Sequence, residues 1–171
     1  MPDTENLQRQ LTALEAALVS EFRAYQSLVA LTQDERQALL ASNVQALQDL
    51  LNQKETLLGN LERLETARQA ALADWARTAG LEAHTLTDML ANLEPTASER
   101  LQRLRDGILA LTVQLRELSH GNRALADSAL EGVEAVHNFL LSLSQTPIGY
   151  QRPGAPQNTT LSTALAVEQL V

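Results

Sequence analysis

Cysteine is absent from the 171 residues of this chain, and aromatic residues make up only 3% of them. Without cysteine there is no disulfide framework and no thiol catalysis, which is compatible with a reducing compartment. Valine and isoleucine are scarce as well, so few residues favour a pleated sheet. Leucine and alanine dominate instead, and hydrophobic residues reach 44%, enough to form a buried core. This composition predicts an all-α protein.

Positive charge is also in short supply, because 13 Lys and Arg stand against 21 Asp and Glu, a net charge of −8. The basic residues are spread among acidic ones, whereas nucleic-acid phosphates require clustered Lys and Arg, so we expect no nucleic-acid partner. The longest uncharged stretch, residues 135–151, contains Asn138, hydroxyl residues and Pro147, which argues against stable membrane insertion. The first residues lack the basic start and apolar run of a secretory signal. We therefore expect a cytoplasmic protein.

Glycine and proline are missing between Pro2 and Gly59, which leaves room for long helices. Apolar residues at steps of three and four predict a first helix over Thr4–Leu40. Ser42, with Gln45 three residues on, predicts a capping box at the start of a second helix. That helix runs from about Asn43 to Ala79, and its leucines form a stripe wide enough to contact two neighbouring helices. The stripe consists of Val44, Leu47, Leu51, Leu58, Leu61, Leu72 and Trp75, with Leu50, Leu57 and Leu64 beside it.

Gly80 predicts the end of the second helix, and Thr85–Asp88 a weaker cap for a short helix that reaches about Leu93. Thr96–Glu99 predicts a further capping box, which opens a long fourth helix ending near Ser144. A seven-residue repeat runs along that helix, and it is apolar at every position except Asn122 and Gly132. Its positions are Leu101, Leu104, Ile108, Leu111, Leu115, Leu118, Asn122, Leu125, Ala129, Gly132, Val136, Phe139 and Leu143.

The two interruptions of the repeat have alternative interpretations. Asn122 is either a polar core residue that sets register or partner, or a residue that faces solvent. Gly132 marks either a close approach between helices or a kink, at a cost of ~1 kcal/mol relative to alanine.

The expected architecture is an elongated antiparallel bundle or coiled coil over residues 1–144, made of three long helices plus a short one. After Ser144, three prolines and two glycines exclude a regular helix, so residues 145–171 are expected to form a flexible arm. A short amphipathic segment around Leu161 and Leu165 needs a surface to fold on, because isolated helices of this length are marginal in water.

No phosphate loop, dinucleotide fingerprint or nucleophile elbow occurs in the sequence. Glu117 and His120, like Glu134 and His137, have the spacing of a di-iron carboxylate motif. That site needs the two motifs on different helices, whereas here both lie on the fourth helix, about 25 Å apart and pointing away from the apolar seam. We therefore expect no metal, no cofactor and no enzymatic activity.

The last turns of the fourth helix carry an unusually wide apolar surface. Val136, Phe139 and Leu143 occupy the seam, while Leu140 and Leu141 lie on adjoining faces. Contiguous exposed apolar surface usually marks a binding site. Two alternatives remain open: the arm folds back over this surface through Ile148, Tyr150 and Leu161, or a second copy covers it in a homodimer.

Several stretches of the chain also carry a family resemblance. Leu28–Leu39 is followed by a break at Ser42-Asn43 and by Leu47–Leu58, which contains Lys54-Glu55, and then by Leu61–Glu65. Asn122 lies in a long last helix, and Tyr150 and Gly154 form a Tyr-x-x-x-Gly element. In these features the chain resembles the FlgN family of flagellar type III export chaperones. Its additional prolines, Pro153 and Pro156, depart from the family pattern.

The resemblance implies an acidic cytoplasmic chaperone without ATPase activity that binds the C-terminal helices of hook-associated, filament-junction proteins. Such a chaperone prevents their premature assembly and delivers them to the export apparatus. An amphipathic helix of the cargo would lie in an apolar groove. We predict the cargo-binding surface to be Val136, Phe139, Leu140, Leu143, Ile148, Tyr150, Leu161 and Leu165. The alternative function is a structural coiled-coil scaffold or tether that homo-oligomerises through the fourth helix.

Overall fold

A computed structural model of the chain describes residues 4–82 and 85–145, which form four α-helices and no strand. Their bounds are α1 Thr4–Leu40, α2 Val44–Ala79, α3 Leu86–Leu90 and α4 Pro95–Gln145. The all-α prediction is confirmed, and so are the bounds of the first helix. The second helix ends at Ala79 as predicted, because Gly80 takes the left-handed conformation, with φ 69°, that ends a helix at no steric cost.

The turn between α1 and α2 differs from the prediction. Ser42 ends α1 instead of capping α2: it has φ 52°, and the Asn43 N–H donates to the Ala38 carbonyl at 2.9 Å. This is the arrangement in which a left-handed residue closes the last turn of a helix. Asn43 is the N-cap of α2, since its Oδ1 accepts from the Ala46 N–H at 3.1 Å. The predicted Ser42 cap was wrong by one residue, because Ser42 takes the left-handed conformation that closes α1, whereas an N-cap residue ordinarily has an extended backbone.

The connection between α3 and α4 is longer than predicted, and it begins and ends earlier in the chain. The Thr85–Asp88 capping box is confirmed, with the Asp88 N–H donating to Thr85 Oγ1 at 3.2 Å. However, α3 ends at Leu90 rather than near Leu93, and α4 begins at Pro95, before the predicted Thr96–Glu99 box. Proline suits the first position of a helix, where its missing N–H would have had no helical partner.

Polar contacts between the long helices show their relative directions. Along α1 and α2, residue numbers rise on one helix as they fall on the other, so these helices are antiparallel. Along α1 and α4, the numbers rise together, so these two are parallel and each consecutive pair of long helices is antiparallel. The α1–α2 contacts are Gln10 with Thr78, Glu21 with Arg68 and Glu35 with Lys54, and the α1–α4 contacts are Glu15 with Arg100 and Thr32 with Asn122.

Two apolar clusters form the core, and both use α1. The larger lies where the start of α1, the end of α2, α3 and the start of α4 meet, and it includes Leu14, Trp75, Met89 and Leu101. The smaller contains Ala24, Leu28 and Leu61, with Leu115 of α4 packed against it. Trp75 therefore lies in the core, and the buried part of the α2 stripe faces α1.

The structure divides into two compact units between Gly132 and Val133. The first unit contains α1, α2, α3 and α4 as far as Gly132. The second begins at Val133, and the structure describes it as far as Gln145. The flexible arm at 145–171 stays a prediction, and so does the domain boundary at residue 144, because residues 146–171 lie outside the described residues.

Candidate functional site

The apolar end of α4, defined here as Val133, Val136, Phe139, Leu140, Leu141 and Leu143, lies on the second unit. Each of these side chains is between 44% and 66% exposed. From Ala126 to Ser144 every residue of α4 is exposed, so within residues 4–82 and 85–145 no neighbour removes these six side chains from water. Six large apolar side chains exposed within eleven residues form the kind of contiguous apolar surface that usually marks a binding site.

Four of the predicted cargo-binding residues share one face of α4. At about 100° per residue, Val136, Phe139, Leu140 and Leu143 fall within an arc of about 100°, which is the width of a typical apolar stripe. The structure therefore brings these four together as one exposed surface. The other four predicted residues, Ile148, Tyr150, Leu161 and Leu165, lie outside the described residues.

Val133 belongs to the same surface, although it is not among the residues predicted from the sequence. It lies one turn before Val136 and two turns before Leu140, and at 66% exposed it is the most exposed of the six. The seven-residue repeat missed it because it occupies no repeat position. Counting apolar residues at steps of three, four and seven from Leu140 would have found it.

The acidic residues of this part of α4 lie away from the apolar stripe. Glu131 and Glu134 are exposed, and the sequence has no Lys or Arg between Arg123 and Arg152. At about 100° per residue, both fall more than about 100° from the centre of the stripe formed by Val136, Phe139 and Leu143. A helix that docks along this stripe therefore does not meet these carboxylates directly.

A buried polar junction links the three long helices just before the exposed half of α4. Asn122 is only 4% exposed, and its Nδ2 donates to the Thr32 carbonyl and to Glu35 Oε2, both at 2.8 Å. Lys54 Nζ of α2 donates to the same Glu35 oxygen at 2.8 Å. Of the two interpretations of Asn122, the structure supports the polar core residue.

The junction favours one register of α4 on α1. A buried amide retains its hydrogen bonds only where its partners stand opposite, and a slip of one turn would separate the Asn122 amide from both the Thr32 carbonyl and Glu35. Asn122 is also the last residue of α4 that is buried. The junction therefore lies at the end of the buried part of the seam.

Gly107 and Gly132 of α4 differ in their surroundings. A Cβ added at Gly107 would lie 2.7 Å from Cε2 of Phe22, so α4 approaches α1 closely at this point. A Cβ added at Gly132 would meet nothing within 4 Å, so the close-approach interpretation of Gly132 was wrong. Gly132 instead stands at the boundary between the two units.

The two Glu-x-x-His pairs lie on the surface. Glu117, His120, Glu134 and His137 are all exposed. Within residues 4–82 and 85–145, no group of three or more His, Cys, Asp or Glu side chains is placed to hold a metal ion. In the same residues no helix has both the length and the apolar character needed to span a bilayer.

Comparison with protein families gives a match that extends over most of the chain. The model of the family described as FlgN protein matches residues 1–158. The match covers all four helices and thus includes both the polar junction and the apolar end of α4. No curated protein and no solved structure matches the chain.

Proposed function

This chain belongs to the FlgN family of flagellar type III export chaperones, and we propose that it binds the C-terminal helices of hook-associated, filament-junction proteins. It acts in the cytoplasm, prevents the premature assembly of these proteins and delivers them to the export apparatus. The observation that carries this proposal is the family match over residues 1–158.

The apolar end of α4 supports a docking role for this part of the molecule. An amphipathic cargo helix has an apolar face that promotes assembly when it is exposed, and the exposed stripe on α4 offers a surface that could cover it. Burying one large apolar side chain contributes about 1.5–3 kcal/mol. Two or three such side chains on each partner would together contribute about 6–18 kcal/mol, which is set against an association cost of about 4–15 kcal/mol.

Release of the cargo needs no nucleotide in this scheme. A helix held by apolar contacts dissociates when a competing surface binds either partner more tightly. We propose that components of the export apparatus supply that competing surface. Residues Ile148, Tyr150, Leu161 and Leu165 are proposed to complete the cargo site by folding against the bound helix, with an ordering cost at that step.

The test measures the affinity of the full chain for the C-terminal helical segment of a hook-associated protein, by titration calorimetry. The double variant Phe139→Gln, Leu140→Gln removes two apolar side chains from the stripe, so we expect the affinity to fall by at least about tenfold. The control is Leu51→Gln, because Leu51 of α2 is 62% exposed and lies outside the proposed site. An unchanged affinity of the double variant would exclude the apolar end of α4 as the cargo site.

Removal of residues 145–171 tests the contribution of the arm. We expect helicity by circular dichroism to remain nearly unchanged and capture of the cargo segment to be lost. Retained capture would remove Ile148, Tyr150, Leu161 and Leu165 from the site.

Sedimentation of the free chain at micromolar concentration tests the scaffold alternative. If the chain forms a stable oligomer, and if the double variant Phe139→Gln, Leu140→Gln is monomeric, the result would favour self-association through α4.

A further inference from the structure

A groove between α2 and α4 in the first unit has no role in the proposed function. Its floor is the apolar face of α1, including Leu18 and Leu28, and its volume is about 580 Å³. Along each wall it extends over about eleven residues, or roughly 16 Å, which corresponds to about three helical turns. None of the residues that line it belongs to the apolar end of α4.

Each wall of the groove presents a face at helical spacing. On α2 the wall residues are Leu58, Glu62 and Glu65, at steps of four and three. On α4 they are Arg105, Leu109, Thr112 and Arg116, at steps of four, three and four. Residues at such steps project from the same side of a helix, so the two walls face a common space.

The walls combine apolar side chains with charges of opposite sign. Leu58 and Leu109 are each more than half exposed, which leaves one large apolar side chain open to solvent on each wall. The α2 wall carries the carboxylates of Glu62 and Glu65, and the α4 wall the guanidinium groups of Arg105 and Arg116. Two of these four charges already have partners: Arg68, which also lines the groove, pairs with Glu65 at 3.7 Å and with Glu21 of the floor at 3.0 Å, and Arg105 pairs with Asp106 at 2.8 Å. The charge division therefore depends on Glu62 and Arg116. Within the described residues, neither Glu62 nor Arg116 forms an ion pair.

This charge division indicates the occupant. A helix of another protein, laid in the groove, would contact α2 along one of its edges and α4 along the other. The α2 wall requires Lys or Arg on the first edge, and the α4 wall requires Asp or Glu on the second. The apolar centre of the helix would contact Leu58, Leu109 and the α1 floor.

Two segments of this chain could be considered as occupants of the groove, but neither carries one basic and one acidic edge. The exposed part of α4 after Arg123 has Glu131 and Glu134 but no Lys or Arg, so it would place like charge against Glu62 and Glu65. Residues 157–171 contain a single charged residue, Glu168. A second copy of either segment would therefore leave the acidic wall without a partner.

We propose that the groove between α2 and α4 binds an amphipathic helix of a partner protein, with one basic and one acidic edge, and that this site is separate from the apolar end of α4. The chain then has two docking surfaces and can hold two helical partners at once. Charge division along the walls, rather than apolar area alone, selects the partner.

The test uses helical peptides of about 18 residues, long enough to form a helix on binding. All share one apolar stripe of leucine and alanine. The first has one Lys edge and one Glu edge, the second has Lys on both edges, and the third has Glu on both edges. We expect the divided peptide to bind the full chain about fivefold more tightly than either uniform peptide by fluorescence anisotropy, with the difference shrinking as salt is added.

Charge-reversal variants of the protein sharpen this test. Glu62→Lys adds positive charge to the α2 wall, so the all-Glu peptide should gain affinity and the divided peptide should lose it. Arg116→Glu should instead favour the all-Lys peptide. Each change is expected to be about threefold, and both side chains are exposed, so folding should persist. Glu117→Lys is the control, because Glu117 is exposed on α4 outside the groove.

The apolar contribution to peptide binding is tested with a matched pair of variants, Leu109→Gln and Val113→Gln. Leu109 is 57% exposed and lines the groove, whereas Val113, one turn further on, is 56% exposed and does not. Leu109→Gln should weaken the divided peptide by about tenfold, and Val113→Gln should leave its affinity unchanged.

The proposal would be overturned by absence of saturable binding, by charge preferences that do not change in Glu62→Lys and Arg116→Glu, or by equal losses of affinity in the Leu109 and Val113 variants. It would also be overturned by loss of binding in Phe139→Gln, Leu140→Gln. The last result would place the peptide on the apolar end of α4. Self-association of the wild-type chain that Leu109→Gln abolishes would show a second copy in the groove, which also contradicts the proposal. Hook-associated cargo binding through the apolar end of α4 is measured separately and can succeed or fail independently.

Discussion

The two halves of the α4 seam continue the same repeat but have opposite environments. From Leu101 to Leu125 its residues are buried or half-buried, whereas from Ala129 to Leu143 all of them are exposed. The polar interruption, Asn122, is buried at 4% exposed, while Phe139, the only aromatic residue of the seam, is 61% exposed. A seven-residue apolar repeat therefore predicts a helix with one apolar face, and the burial of that face depends on what stands opposite.

The first half is buried because α1 presents matching surface along it. Leu101 contributes to the larger core cluster, Leu115 packs on the smaller one, and Asn122 bonds to α1. The second half has no such counterpart within the described residues. Its apolar side chains remain in water at a cost that a docked helix would remove.

The largest expected difference between the halves concerns truncation of a leucine. Leu101→Ala removes a side chain that is 1% exposed, and should lower the free energy of unfolding by about 2–5 kcal/mol. Leu143 occupies the same repeat but is 52% exposed, so Leu143→Ala should change the free energy of unfolding by no more than about 0.5 kcal/mol. Urea unfolding followed by circular dichroism measures both. Equal losses would mean that the end of α4 is buried in solution.

A smaller difference in the free energy of unfolding is expected between alanine variants of Asn122 and Asn138, the two asparagines of α4. Asn122→Ala leaves Glu35 with Lys54 alone and removes the donor to the Thr32 carbonyl, so it should destabilise the protein by about 1–3 kcal/mol. Asn138→Ala is the matched control, because Asn138 is exposed in the other half of the same helix. The same unfolding experiment applies, and an Asn122 variant as stable as the control would contradict the role of the polar junction.

The smallest effects on the free energy of unfolding are expected at Gly132 and Gly107, where alanine should stabilise the first position and give no gain or a loss at the second. Gly132→Ala adds a methyl group in open space and improves helix propensity by ~1 kcal/mol. Hydrogen exchange of the amides at 133–143 should slow by about fivefold if local opening governs exchange there.

Gly107→Ala gains the same propensity but forces the Phe22 ring to shift, with an overpacking cost of about 1–3 kcal/mol. Its free energy of unfolding should therefore stay unchanged or fall, by up to about 2 kcal/mol. Stabilisation at Gly107 would show that α4 and α1 are further apart than the structure has them.

Most of the fold could be predicted from local chemistry. The spacing of leucines located α1 to the residue, and Gly80 and the Thr85–Asp88 box located the end of α2 and the start of α3. The errors fell where two local signals compete. Ser42 and Asn43 can each cap a helix, and Pro95 can either end one helix or begin the next, so only the three-dimensional path of the chain decides.

The candidate site was predicted less completely. Val136, Phe139, Leu140 and Leu143 were identified because their density exceeded the needs of a single seam, and Val133 was missed because it lies off the repeat. The groove between α2 and α4 was not foreseen. Its walls come from residues about fifty positions apart, and no local pattern states that α2 and α4 leave a space between them.

By itself, the sequence determined that this chain is helical, where its long helices run and which face of each is apolar, since backbone propensity and periodicity act over a few residues. Only the tertiary structure decided which part of each apolar face is covered. Burial requires two complementary surfaces at the same place, and the second surface is remote in sequence. Leu101 and Leu143 occupy the same seam of one helix, yet one lies in the core and the other remains open to a partner.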